Sequence, residues 1–185
     1  MKNAFLRFSW GVVILLIDFR IGWLDILPDI VGYALMWNAV IGLGQYRSNY
    51  LKAQWPAALL TLFSVAEVLP FFGEPVHSFD VSPPWLAYGS MMLFLQLLLV
   101  NWFLLALCQH AIDTANHNFA VSVNRCRMFV IFVNVVSLIS FPFSINWSQT
   151  TVMMWSILIL GMGIISELAL IFICRRAATT VGKSD

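Results

Sequence analysis

Thr151–Cys174 reads TVMMWSILILGMGIISELALIFIC, and Arg175-Arg176 follow at once. The stretch is apolar on every helical face, with one carboxylate, Glu167, and no Lys or Arg. An α-helix needs about 20 apolar residues, with a range of about 17–25, to cross a hydrocarbon core roughly 30 Å thick. A segment that is hydrophobic all round and ends on paired arginines has the form of a transmembrane helix held at its cytoplasmic end.

Working outward, five further stretches have the same character: Phe5–Ile21, Ile26–Gly44, Trp55–Phe72, Trp85–Cys108 and Met128–Ile145. The expected fold is therefore all-α, a polytopic bundle of six transmembrane helices forming one transmembrane domain over 1–185. The first stretch leads into Asp18-Phe19-Arg20 without a small-residue cleavage site, so it reads as an uncleaved span whose outer end is the weakest of the six. Composition agrees with a membrane class. Hydrophobic residues make up 61%, charged residues 10%, and mean hydropathy is +0.85. A soluble domain is nearer 45–50% apolar and about 25% charged. The formal net charge of +1 offers no basic surface for nucleic acid.

The few charges fall on two sides. Lys2, Arg7, Arg47, Lys52, Arg125, Arg127, Arg175, Arg176 and Lys183 group on one side of the span pattern, and Arg20 stands alone on the other. Short loops rich in Lys and Arg stay cytoplasmic, which predicts a plasma-membrane protein with both termini inside. Cys108, Cys126 and Cys174 fall on that inner side, where thiols stay reduced, so no structural disulfide is expected. Trp23, Trp55, Trp85 and Trp147 mark interfaces, while Trp37 and Trp102 lie deeper as packing residues.

The densest polar constellation runs from Asp18 to Tyr33 at the outer boundary. Its structural reading is local. Asp25 caps the second span, Pro28 occupies the first helical turn, Asp29 complements the helix dipole, and Arg20 pairs with Asp18 or Asp25. Its functional reading is a binding site, in which Asp18, Asp25 and Asp29 offer oxygens and Arg20 a guanidinium to a lipid headgroup or partner. The string Asp25-Ile26-Leu27-Pro28-Asp29 followed by Gly32-Tyr33 resembles a motif of small multi-pass membrane proteins of bacteria, especially Gram-positive ones. The resemblance covers about the first 45 residues. It implies a bacterial plasma membrane and carries no activity to transfer.

Glu67 and Glu167 are the intramembrane carboxylates. Such a group costs several kcal/mol unless paired, protonated or hydrated, and it marks a functional position by default. At about 1.5 Å per residue, Glu67 lies nearer the outer side, while Glu167 lies about 12 Å before Arg175 and nearer the inner side. The structural alternatives are a hydrogen bond to a neighbouring helix for Glu67, and inner water or a basic partner for Glu167. Asn38, Asn101 and Asn134 are expected to bond across helices, and Gly42, Gly44, Gly161 and Gly163 to permit close helix contact.

Glu74, His77 and Asp80, and separately Cys108, His110, His117 and Cys126, fall in predicted loops without a tight zinc spacing, so they read as solvated loop residues. Hydrolase, zinc-protease and phosphate-loop signatures are missing. Neither a catalytic residue, a metal nor a cofactor is assigned. The expected partners are the lipid bilayer and a membrane protein or anionic lipid. The first functional expectation is an accessory protein acting through Asp18, Arg20, Asp25, Asp29 and Tyr33. The alternative is a small proton- or cation-coupled transporter or channel using Glu67 and Glu167.

Overall fold

The computed structural model describes residues 1–17, 20–21, 24–25, 29–68, 83–143 and 146–181, with the backbone alone at 20–21, 24–25, 66–68 and 83–85. The fold is helical. Among the described residues six α-helices run in chain order: α1 Lys2–Ile17, α2 Asp29–Gly44, α3 Gln54–Val68, α4 Pro83–Asp113, α5 His117–Phe143 and α6 Gln149–Thr180. A 3-10 helix, Ser48–Ala53, joins α2 to α3. Two-residue strands, β1 Arg20–Ile21 and β2 Leu24–Asp25, pair antiparallel with Arg20 opposite Asp25.

Helix length divides the chain in two. Leu86–Asp113, His117–Phe143 and Gln149–Thr180 are long and apolar enough to cross a membrane. Their residues supply that property directly, since the three have mean hydropathies of 2.2, 1.9 and 2.6 over their most apolar windows. The described parts of α1, α2 and α3 hold 16, 16 and 15 residues. At about 1.5 Å per residue they rise roughly 23–24 Å, short of a hydrocarbon core about 30 Å thick.

The long helices also run past the predicted spans at the basic end. α4 continues to Asp113, α5 starts at His117, and α6 continues to Thr180. Hydropathy marks where apolar side chains stop, whereas a helix ends where backbone capping or turn chemistry ends it. Between α4 and α5 that chemistry is a three-residue turn. Ala115 takes a left-handed conformation (φ 56), and the Asn116 N–H donates to the Ala111 carbonyl at 2.9 Å. The Asn116 side chain then accepts from the Phe119 N–H at 3.2 Å and caps α5. Cys108 and His110 thus lie inside α4, and His117 and Cys126 inside α5, rather than in a solvated loop. His110 is buried.

Packing follows from small residues and aromatic anchors. α1 and α2 meet where Gly11 faces Gly32, so closely that a Cβ on Gly11 would stand 2.6 Å from the Gly32 carbonyl oxygen. Gly42 and Gly44 also face neighbours, with Ala4 and Leu51 against them. Gly161 and Gly163 do not make the expected close helix contact, because nothing lies within 4 Å of the position a Cβ would take. Near the α1 N-terminus, Phe8 stacks on Phe103 at 3.7 Å, and Phe5 meets Tyr50 and Phe103 edge-on. These rings, with Met36, Leu43, Leu99 and Leu107, are fully or almost fully buried and form the core.

The basic residues gather around that core's end. The Arg47 guanidinium pairs with Asp113, Asn49 donates to Gln109 at 2.9 Å, and Tyr50 lies 3.3 Å from His110 Nδ1. Three residues of the α2–α3 connection thereby hold three residues of the α4 C-terminal turn. Arg175 lies over the Trp10 ring and Arg176 over Phe119. The α1 N-terminus, the α2–α3 connection, the α4–α5 turn and the α6 C-terminus therefore share one end of the bundle. Burial pushes the Tyr50 phenol above its ordinary range, and the nearby Arg47 charge pulls it only partly back.

Candidate functional site

At the opposite end α4 and α5 stay in contact, with Phe141 against Gly89. α6 packs on α1 through its C-terminal half, and its N-terminal half leaves a crevice against α4 and α5. Ser148 sets the start of α6, its hydroxyl accepting from the Thr151 N–H at 3.3 Å. The crevice has a volume of about 410 Å³. Leu86, Phe141, Trp147 and Val152 stand at its mouth, and Gln96, Asn134, Ser166 and Glu167 at its depth. From Val152 to Glu167 the α6 axis rises about 22 Å at ~1.5 Å per residue. Beyond Glu167, toward the basic end, Leu99, Phe103, Leu170, Cys174 and Ala177 are buried and close the bundle.

The lining is polar along two helical faces. On α5, Asn134, Ser137 and Ser140 recur every three residues, and on α6, Ser156, Gly163, Ser166 and Glu167 share a face. The α5 groups satisfy themselves locally. Asn134 donates to the Val130 carbonyl at 2.9 Å and Ser137 to the Val133 carbonyl at 2.9 Å. Asn134 therefore bonds within its own helix, not across helices as expected. Asn38 does bond across, accepting from Arg7 at 3.2 Å. The Asn134 Oδ1 and the Ser137 Oγ can still accept a hydrogen bond from a group in the crevice.

Glu167 is the charge in this lining. Its carboxylate takes a hydrogen bond from the Gln96 amide, and the Asp29 carboxylate lies within electrostatic range of it. No Lys, Arg or His lines the crevice among the described residues. Among the described residues Glu167 meets an amide from α4, and the expected basic partner is not in the lining. The arrangement can hold a cation or a hydrogen-bond donor, and it disfavours an anion.

The other predicted positions divide sharply. Asp29 starts α2 and its charge acts on Glu167, so the sequence motif and Glu167 lie in one region. Tyr33 is buried in the core. The backbones of Arg20 and Asp25 face each other in register, and their side chains lie outside the described residues, as do Asp18 and the side chain of Glu67. Glu74, His77 and Asp80 lie outside them as well. No group of three or more His, Cys, Asp or Glu is placed to hold a metal ion among the described residues.

Gln96 and the serine rows went unnoticed in the sequence. The available signal was spacing: Asn134-x-x-Ser137-x-x-Ser140 on one helix and Ser156 to Glu167 on the next place polar atoms on single faces of apolar spans. Comparison with protein-family models, curated proteins and solved structures gives no significant match.

Proposed function

We propose that this is an integral membrane protein that binds a cation at Glu167 and acts as a small proton- or cation-coupled transporter or channel. One observation carries the reading: a crevice with polar rows on α5 and α6 reaches the middle of α6 and ends on a carboxylate, with no basic residue in its lining among the described residues. An intramembrane carboxylate without a counter-charge is expensive, and retaining one is explained when a mobile cation supplies the charge balance. Glu67 is the second carboxylate of the same proposal.

The membrane setting is part of the reading. Six crossings, with the basic end cytoplasmic and both termini inside, account for the gathering of Lys2, Arg7, Arg47, Lys52 and Arg175 around one end. The crevice then opens to the outer side of a bacterial plasma membrane. An accessory role through Asp18, Arg20, Asp25, Asp29 and Tyr33 is the second reading. It is favoured by the proximity of Asp29 to Glu167, which ties the outer segment to the same binding region.

The test is ion flux in proteoliposomes, driven by an imposed potential and read by a trapped pH dye and by cation-selective dyes. Wild type conducts, and Glu167→Gln falls to the level of empty vesicles. Equal flux in the two would contradict the transport reading and leave the accessory role.

A further inference from the structure

The crevice does not end at its mouth. A second cavity of about 570 Å³ adjoins it, lined by Val136, Ile139, Phe143 and Thr151 and sharing Ser140, Trp147 and Trp155 with the first. Ile139 is 59% and Phe143 57% exposed, so this wall opens sideways between α5 and α6 at a level that faces lipid. Where the two cavities join, the Trp147 and Trp155 rings meet edge-on at 5.8 Å.

We infer that the ligand of the crevice is a lipophilic organic cation, which enters sideways between α5 and α6 and sets its charge against Glu167. The inference rests on the reading of Glu167 as a cation anchor and adds the chemical class. A small hydrated ion gains nothing from walls of Val136, Ile139 and Phe143 and would have to shed water beside them. A cation with an apolar body fits those walls and the indole faces with that body, which leaves its charge for Glu167. The lining lacks Lys, Arg and His among the described residues, so an anionic headgroup finds no partner there. The inner cavity lies within the roughly 300–1,000 Å³ usual for small-molecule sites.

The experiment is equilibrium binding of radiolabelled tetraphenylphosphonium to the full chain in lipid nanodiscs, with uptake by empty nanodiscs subtracted. Wild type binds saturably. Glu167→Gln weakens binding by roughly tenfold or more, because it removes one partner of a desolvated charge pair. Trp155→Ala weakens it several-fold and Trp155→Phe restores most of the loss, a pattern that general misfolding does not give. Met154→Ala, exposed on the same helix and outside both cavities, leaves it unchanged. Equal binding by wild type and Glu167→Gln, or none above empty nanodiscs, overturns the inference. If Glu167-dependent ion flux survives that result, only the lipophilic cargo falls. If flux is also indifferent to Glu167, the cation site falls with it.

Discussion

Glycine shows most clearly what single residues decide here. Gly11 and Gly32 let two backbones touch, and a methyl group on Gly11 would meet both the Gly32 carbonyl and Met36 at 2.6 Å. Gly11→Ala should destabilise the protein by about 1–3 kcal/mol through overpacking, since a backbone oxygen cannot swing aside. Gly161→Ala meets open space and should be neutral, or stabilise by up to about 1 kcal/mol through helix propensity. Thermal unfolding in mild detergent separates the two, and equal effects would refute the packing argument. The sequence reading assigned both glycines of α6 to close contacts, because an isolated Gly in an apolar span looks the same whether it faces a helix or lipid. Gly32 stood in the quoted motif, but its packing role depended on Gly11, in a different helix. Glu167 was legible as a special residue from its chemistry alone. Its partner Gln96 was not, since an amide in a span gives no cost large enough to attract attention.

At the scale of elements, the informative feature is the joint between the 3-10 helix and the end of α4. Arg47, Asn49 and Tyr50 meet Asp113, Gln109 and His110. The outer pair is partly exposed, and exposed ion pairs contribute about 0–1 kcal/mol. The inner pair is buried, with Tyr50 at 0% exposure. Tyr50→Phe should therefore cost about 1 kcal/mol by losing the His110 contact. Tyr50→Ala should cost about 3–5 kcal/mol by emptying the aromatic cluster. Arg47→Ala should cost less than about 1 kcal/mol. Unfolding curves for the three variants give the order, and an Arg47→Ala effect larger than that of Tyr50→Ala would contradict it. This joint was hidden in the sequence because its two halves lie 60 or more residues apart. The three long helices, by contrast, were plain, since hydrophobicity over a span's length has few other meanings. Their extension to Asp113 and Thr180 was not, because polar helical turns beyond the membrane carry no hydropathy signal.

For the whole molecule, Arg47, Arg175 and Arg176 meet Asp113, Trp10 and Phe119 at one end of the bundle, beside a closed aromatic core. Charge bias in the sequence grouped these arginines on one side of the span pattern. The opposite end holds the crevice that descends to Glu167. The crevice required the relative placement of three helices, which hydropathy does not encode. The central claim is that this crevice is open from the end away from the basic residues and closed from the other. Substituted-cysteine labelling in right-side-out and inside-out membrane vesicles tests it, using Ser137→Cys and Ser156→Cys in a chain whose own cysteines have been replaced. The account predicts that a membrane-impermeant thiol reagent labels both from the outer face and neither from the inner, while Thr179→Cys shows the reverse. Labelling of Ser137→Cys and Ser156→Cys from the basic face, or from neither face, would contradict it.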